Sequence, residues 1–117
     1  MKYRSLKKEK DFQRVFQKGK KINCPELTLI FLPRQNDPIN YVAIITSKAN
    51  FRKATQRNLI KRRLRAILRQ INLAKNGLDI IIIAKTPLLT KKKFEDLKIV
   101  VESIFQKAKL NDIEFKQ

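Results

Sequence analysis

The 117-residue sequence predicts a small α+β sandwich in a single domain spanning residues 1–117, a sheet with helices packed on it. Stretches rich in branched and aromatic residues alternate with stretches whose apolar residues recur at helical spacing. Only two glycines and four prolines interrupt the chain, which argues against linkers and low-complexity tails, and no internal repeat is visible. The length suits one modest core.

The elements follow in order. A first helix is expected over residues 8–18, closed by Gly19, with Phe12, Val15 and Phe16 on one face. Residues 22–32 are strand-like, since LTLIFL combines branched and aromatic side chains. Residues 33–38, with two prolines, Asn36 and Asp37, predict a turn, and YVAIIT at 41–46 predicts another strand. A basic helix is expected over 54–73, ended by Asn76-Gly77. Residues 80–84, four isoleucines and an alanine, predict a central strand buried on both faces. Pro87 breaks the chain, and Thr90 can cap a last helix over 91–109. That helix aligns Phe94, Leu97, Val101, Ile104, Phe105 and Ala108 on its core side. The order is α, two or three strands, α, strand, α.

Charge carries the functional signal. The chain holds 28 Lys and Arg against 10 Asp and Glu, a formal charge of +18. Between Asp37 and Asp79 there is no acid, but there are ten bases: Lys48, Arg52, Lys53, Arg57, Lys61, Arg62, Arg63, Arg65, Arg69 and Lys75. A field so concentrated calls for a polyanion, and a phosphate backbone is the fitting partner. A membrane surface fits less well, because the basic helix lacks Trp anchors and a broad apolar face. No apolar run is long enough to span a bilayer, and the basic N-terminal stretch leads into no secretory core. Cys24 stands alone, so a disulfide framework is absent and a reducing cytoplasm is expected.

On a helical wheel with Arg57 at zero, Ile60, Leu64, Ile67, Leu68 and Ile71 fill an arc of roughly 100°. Lys61, Arg65, Asn58, Arg69 and Arg62 fill the neighbouring arc, from about 40° to 140°. Such a row binds phosphates and says little about base sequence. Asn58 is a neutral amide within it, either a surface residue without a role or a reader of a base edge, a 2′-hydroxyl or a hydrated ion. Phe12 and Phe16 are open to two readings, core aromatics or stacking rings. Lys7, Lys8, Lys10, Arg14 and Lys18 on and beside their helix suit the second.

Catalytic chemistry is missing. The chain has no histidine, one cysteine, no Gly-rich phosphate loop and no carboxylate cluster that suggests a two-metal nuclease site. Glu9 with Asp11, and Glu95 with Asp96, are expected to be solvated surface. The residues point to a binding protein.

The run SKANFRKATQRNLIKRRLRAIL resembles the central motif of the protein subunit of bacterial ribonuclease P, here carried by Ala54, Arg57, Asn58, Leu59, Ile60, Lys61, Arg62 and Arg65. Upstream, LKKEKDFQRVFQKG resembles that family's first helix with its paired phenylalanines, and DIIIIAKTP resembles its last strand. The likeness covers about residues 6–109. It implies an α-β-β-β-α-β-α order with a left-handed β-α-β crossover. It further implies an accessory subunit of a ribonucleoprotein endoribonuclease, working with a catalytic RNA that removes the 5′ leader of precursor tRNA using magnesium ions bound mainly by that RNA. No further protein partner is implied.

From the residues and the resemblance together, Lys48, Arg52, Lys53, Arg57, Asn58, Lys61, Arg62 and Arg65 are the expected RNA-binding residues. Phe12, Phe16, Lys8 and Arg14 are expected to line a leader-binding groove. No catalytic residue is expected, and a metal site on the protein is left open. Two departures stand out. Leu59 replaces a motif arginine, so that contact is lost or moved to Arg63. Ile30 stands where some relatives have an aromatic, which removes a third ring from the groove. The alternative function is a ribosomal-type or RNA-chaperone protein with no processing role.

Overall fold

The computed structural model describes residues 1–111. Its elements are β1 (Arg4–Ser5), α1 (Glu9–Lys18), β2 (Lys20–Asn23), β3 (Leu27–Pro33), β4 (Tyr41–Thr46), α2 (Ala54–Gln70), β5 (Leu78–Ala84), a 3-10 helix (Pro87–Lys91) and α3 (Phe94–Lys107). The expected order is present, with β1 and the 3-10 helix as additions. The sheet runs β1-β4-β5-β3-β2. β4 lies parallel to both β1 and β5, while β3 is antiparallel to β5 and to β2. The crossover through α2 therefore joins parallel neighbours.

Strand alternation sorts the side chains onto two faces. One face carries Leu27, Leu29, Phe31, Val42, Ile80 and Ile82 and packs under α2 and α3, which supply Ile60, Leu64, Ile67, Leu68, Leu97, Val101, Ile104 and Phe105. These helix residues are the stripes expected from the sequence. The opposite face holds a smaller cluster, in which Val15 of α1 and Leu6 meet Ile30 and Ile81. β5 is buried along its whole length apart from half-buried Ile83, as a central strand requires.

Several boundaries differ from expectation. Residues 22–32, strand-like within a count of two or three strands, hold two: Cys24, Pro25 and Glu26 turn the chain between β2 and β3, because Pro25 has no N–H to give to a ladder. α2 ends at Gln70 rather than 73. Ile71 is its C-cap in extended conformation, and Leu73 bridges to Asn111 instead. Asn76-Gly77 does not end the helix but launches β5, with Gly77 at φ 83°. The last helix begins at Phe94 because a 3-10 turn comes first. Thr86, not Thr90, caps that turn by accepting from the Leu88 N–H, while the Thr90 hydroxyl donates to the Pro87 carbonyl.

Gly19 closes α1 as expected, though not through left-handed backbone, since its φ is −71°. Space is the reason. A Cβ there would run into the Val15 carbonyl oxygen and sit 2.9 Å from the Ile30 side chain. α1 can lie this close to the sheet only because residue 19 has no side chain.

Candidate nucleic-acid interface

Two surfaces hold the expected site residues. On α2, Asn58, Arg62 and Arg65 are exposed and Lys61 is half-exposed, so the row read from the wheel stands on one solvent-facing flank. Lys48, Arg52 and Lys53 are exposed in the loop before it. That loop is ordered by its own bonds: the Phe51 N–H donates to the Ser47 carbonyl at 2.9 Å, and the Phe51 ring is fully buried. Arg57 is half-buried and serves this loop, its guanidinium donating to the carbonyls of Phe51 at 2.6 Å and Arg52 at 3.2 Å. It bonds backbone as well as facing solvent, a duty the sequence did not reveal. The first turn of α2 has no acid, and its N-cap Lys53 makes no side-chain cap. Open N–H groups therefore add to the cations there and favour an anion.

Leu59 is half-buried beside the core stripe. Arg63 lies on the other flank and donates to the carbonyls of Thr90 at 3.3 Å and Lys92 at 3.0 Å. It holds the 3-10 turn against α2 and lies away from the cationic row.

The second surface is built by α1 crossing the sheet. The strand registers line up three rows of side chains on this face: Asn23–Thr28–Ile83–Ile45, then Lys21–Ile30–Ile81–Ala43, then Leu32–Asp79–Tyr41. Val15 sits over the middle row. One flank of α1 closes the third row, where the Arg14 guanidinium bonds to Asp79. The other flank carries Phe12, half-buried, and Phe16, 48% exposed, and it borders the first row. The expected groove would have Phe12 and Phe16 as its wall and the first row, Ile45, Ile83 and Thr28, as its floor, with exposed Asn23 at the rim. Lys8 is exposed at the start of α1. Ile30 is buried under α1 and does not reach the open floor.

Sequence reasoning missed the centre of the third row. Asp79 is 0% exposed and meets both Arg14 and Arg34, the latter at 2.7 Å. Arg34 also reaches Asp37 at 3.2 Å and Asp11 at 3.9 Å, and its guanidinium lies 4.4 Å from the centre of the Tyr41 ring. The hydrogen bond to Asp79 leads the effects that hold Arg34 more firmly protonated than usual. Asp11 is therefore partly enclosed beside Arg34 and is not plain solvated surface. The available signal was an acid at the head of an isoleucine strand. Arg14 remains on the α1 surface, 34% exposed, with part of its guanidinium committed to this pair.

Among the described residues no group of three or more His, Cys, Asp or Glu side chains is placed to hold a metal ion, so these residues do not form a magnesium cage. No helix among them is long and apolar enough to cross a membrane. Cys24 is a half-buried free thiol against the core edge.

A family model described as Ribonuclease P matches residues 1–109. This chain belongs to the ribonuclease P protein family. It is 33% identical over 106 residues to the ribonuclease P protein component of Pseudanabaena sp. (strain PCC 6903), covering 90% of each chain. The ribonuclease P protein component of Ureaplasma urealyticum serovar 10 is 28% identical over 112 residues, covering 93% of this chain and 94% of that one. Among solved structures, the Staphylococcus aureus RNase P protein superposes with a TM-score of 0.80 at 24% identity, over 95% of this chain and 100% of that one. The Thermotoga maritima RNase P protein gives 0.72 at 24% identity, over 95% and 98%. These two share the fold. The chain is thus a ribonuclease P protein component, the accessory subunit of a ribonucleoprotein endoribonuclease, as the motif resemblance implied.

Proposed function

We propose that this ribonuclease P protein grips the catalytic RNA with α2 and its preceding loop, and holds the 5′ leader of precursor tRNA in the groove beside α1. The observation that carries this reading is the division of labour across one sheet. A carboxylate-free cationic row stands on one side, and Phe12 and Phe16 of α1, half-buried and 48% exposed, stand on the other. Lys48, Arg52, Lys53, Asn58, Lys61, Arg62 and Arg65 meet phosphates, and Arg57 shapes the loop that presents them. Phe12 and Phe16 stack leader bases, with Lys8 and the free part of Arg14 near the backbone. Magnesium belongs mainly to the RNA, and bond cleavage with it. The protein lowers phosphate repulsion around it. No further protein partner is needed, and the site of action is the cytoplasm. The ribosomal-type or chaperone reading has no finding in its favour.

Cleavage of precursor tRNA at low salt and low magnesium tests this, with protein alone, catalytic RNA alone, and both. Activity is expected from the mixture only; hydrolysis by the protein alone overturns the reading. Replacing Phe12 and Phe16 together by Leu is expected to lower affinity for leader-bearing precursor by about 1–3 kcal/mol per base no longer stacked. Mature tRNA binding is expected to stay unchanged, and equal precursor affinity in the variant sinks the groove assignment.

A further inference from the structure

Beyond the α2 row and the groove, the molecule has another strongly charged concavity. It is an open depression of about 600 Å³ beside β1, lined by β1 and Lys7, by Tyr41 of β4, and by Arg65 and Arg69 of α2. Its four cations, Arg4, Lys7, Arg65 and Arg69, are exposed, and no carboxylate lines it. None of the four belongs to an ion pair among the described residues. Tyr3 joins the two walls: its hydroxyl donates to the Arg65 carbonyl at 3.2 Å, and the Arg69 guanidinium lies 6.0 Å from the centre of its ring.

The backbone contributes as well. β1 pairs on one side only, with the Arg4 N–H donating to the Asn40 carbonyl and the Leu6 N–H to the Val42 carbonyl, both at 2.9 Å. Strand alternation turns the intervening Ser5 N–H toward the open edge, beside the exposed Ser5 hydroxyl. Four cations without acidic partners, an outward N–H and a hydroxyl are donors suited to phosphate oxygens. Arg65 and Arg69 stand one turn apart on the same exposed arc as Asn58, Lys61 and Arg62, so the concavity continues the α2 row without a break.

We propose that the β1 edge is a second phosphate-binding site for the catalytic RNA. The RNA that crosses the α2 row passes Arg65 and Arg69 and is then held by Arg4, Ser5 and Lys7. This rests on the reading of α2 as the face that binds the catalytic RNA.

The test replaces Arg4 and Lys7 together by Ala, with Arg4→Lys/Lys7→Arg as the charge-preserving control. Both side chains are exposed, and thermal melts verify that each variant folds. Affinity for the catalytic RNA is measured between about 50 and 200 mM salt, and the holoenzyme is then offered precursor and mature tRNA. The Ala variant is expected to lose about tenfold in affinity at the low-salt end and to lower the log–log salt slope by about 2, the release expected from two phosphates. The control is expected to keep both, and the ratio of precursor to mature tRNA binding stays as in the unaltered chain. Unchanged affinity and slope overturn the site. A loss confined to leader-bearing precursor also overturns it, because the occupant is then the leader. If the unaltered chain itself shows no salt-dependent binding to the catalytic RNA, the proposed function fails as well, and that result appears without any substitution.

Discussion

Asp79 shows how much one side chain can organise. A carboxylate fully removed from water must be matched by charge and hydrogen bonds, and Arg14 and Arg34 supply both. Asp79→Asn keeps the shape and leaves two guanidinium groups facing a neutral amide. The expected destabilisation is about 2–3 kcal/mol, below the range for fully buried pairs because the arginines are 34% and 23% exposed. Urea denaturation measures it. With α1 held less firmly, precursor affinity is expected to fall while affinity for the catalytic RNA is retained. The sequence could not disclose this centre, because its partners lie 65 and 45 residues away along the chain. Composition locates charges, but only the fold pairs them. Asn58 and Lys61 were legible for the opposite reason: their neighbours lie within one helical turn.

The same contrast holds for whole elements. α2 was readable because an apolar stripe of period 3.6 survives any tertiary arrangement, and Ile60, Leu64, Ile67 and Leu68 are buried as that stripe requires. The exact span of β4 was readable for a similar reason, since YVAIIT lies between clear turn signals. The β2–β3 hairpin was not, because its apolar residues run on through the turn and only Pro25 marks the break. The start of α3 was hidden by Lys91, Lys92 and Lys93, which favour no one conformation, and by a choice between two threonine caps. β1 has two residues, too few for any periodicity. It is placed by Asn40, whose side chain donates to the Lys2 carbonyl and accepts from the N–H groups of Gly77 and Leu78. α1 depends on its closing glycine. Gly19→Ala is expected to cost about 1–3 kcal/mol through overpacking against the Val15 carbonyl and Ile30. A thermal melt checks the loss, and an unchanged midpoint would show that α1 can shift away from the sheet without penalty.

For the molecule as a whole, a formal charge of +18 sets the conditions under which the fold is comfortable. Like charges along α2 and the β1 edge repel, and ions relieve them. Raising salt from low ionic strength, and adding sulfate even more, is expected to stabilise the isolated chain by about 1 kcal/mol, or about 4 °C in Tm. Differential scanning calorimetry gives the answer, and a midpoint that falls with sulfate would contradict it. The crossing of α1 over the sheet has a mechanical consequence at this scale. One helix supplies Arg14 to the arginine–aspartate cluster and carries Phe12 and Phe16 on its other flank. The pairing of Arg14 with Asp79 on one flank thus ties down the same rigid element that carries the aromatic flank. A change at Asp79 is therefore expected to reach Phe12 and Phe16 as a tilt of the whole helix, the two rings moving together.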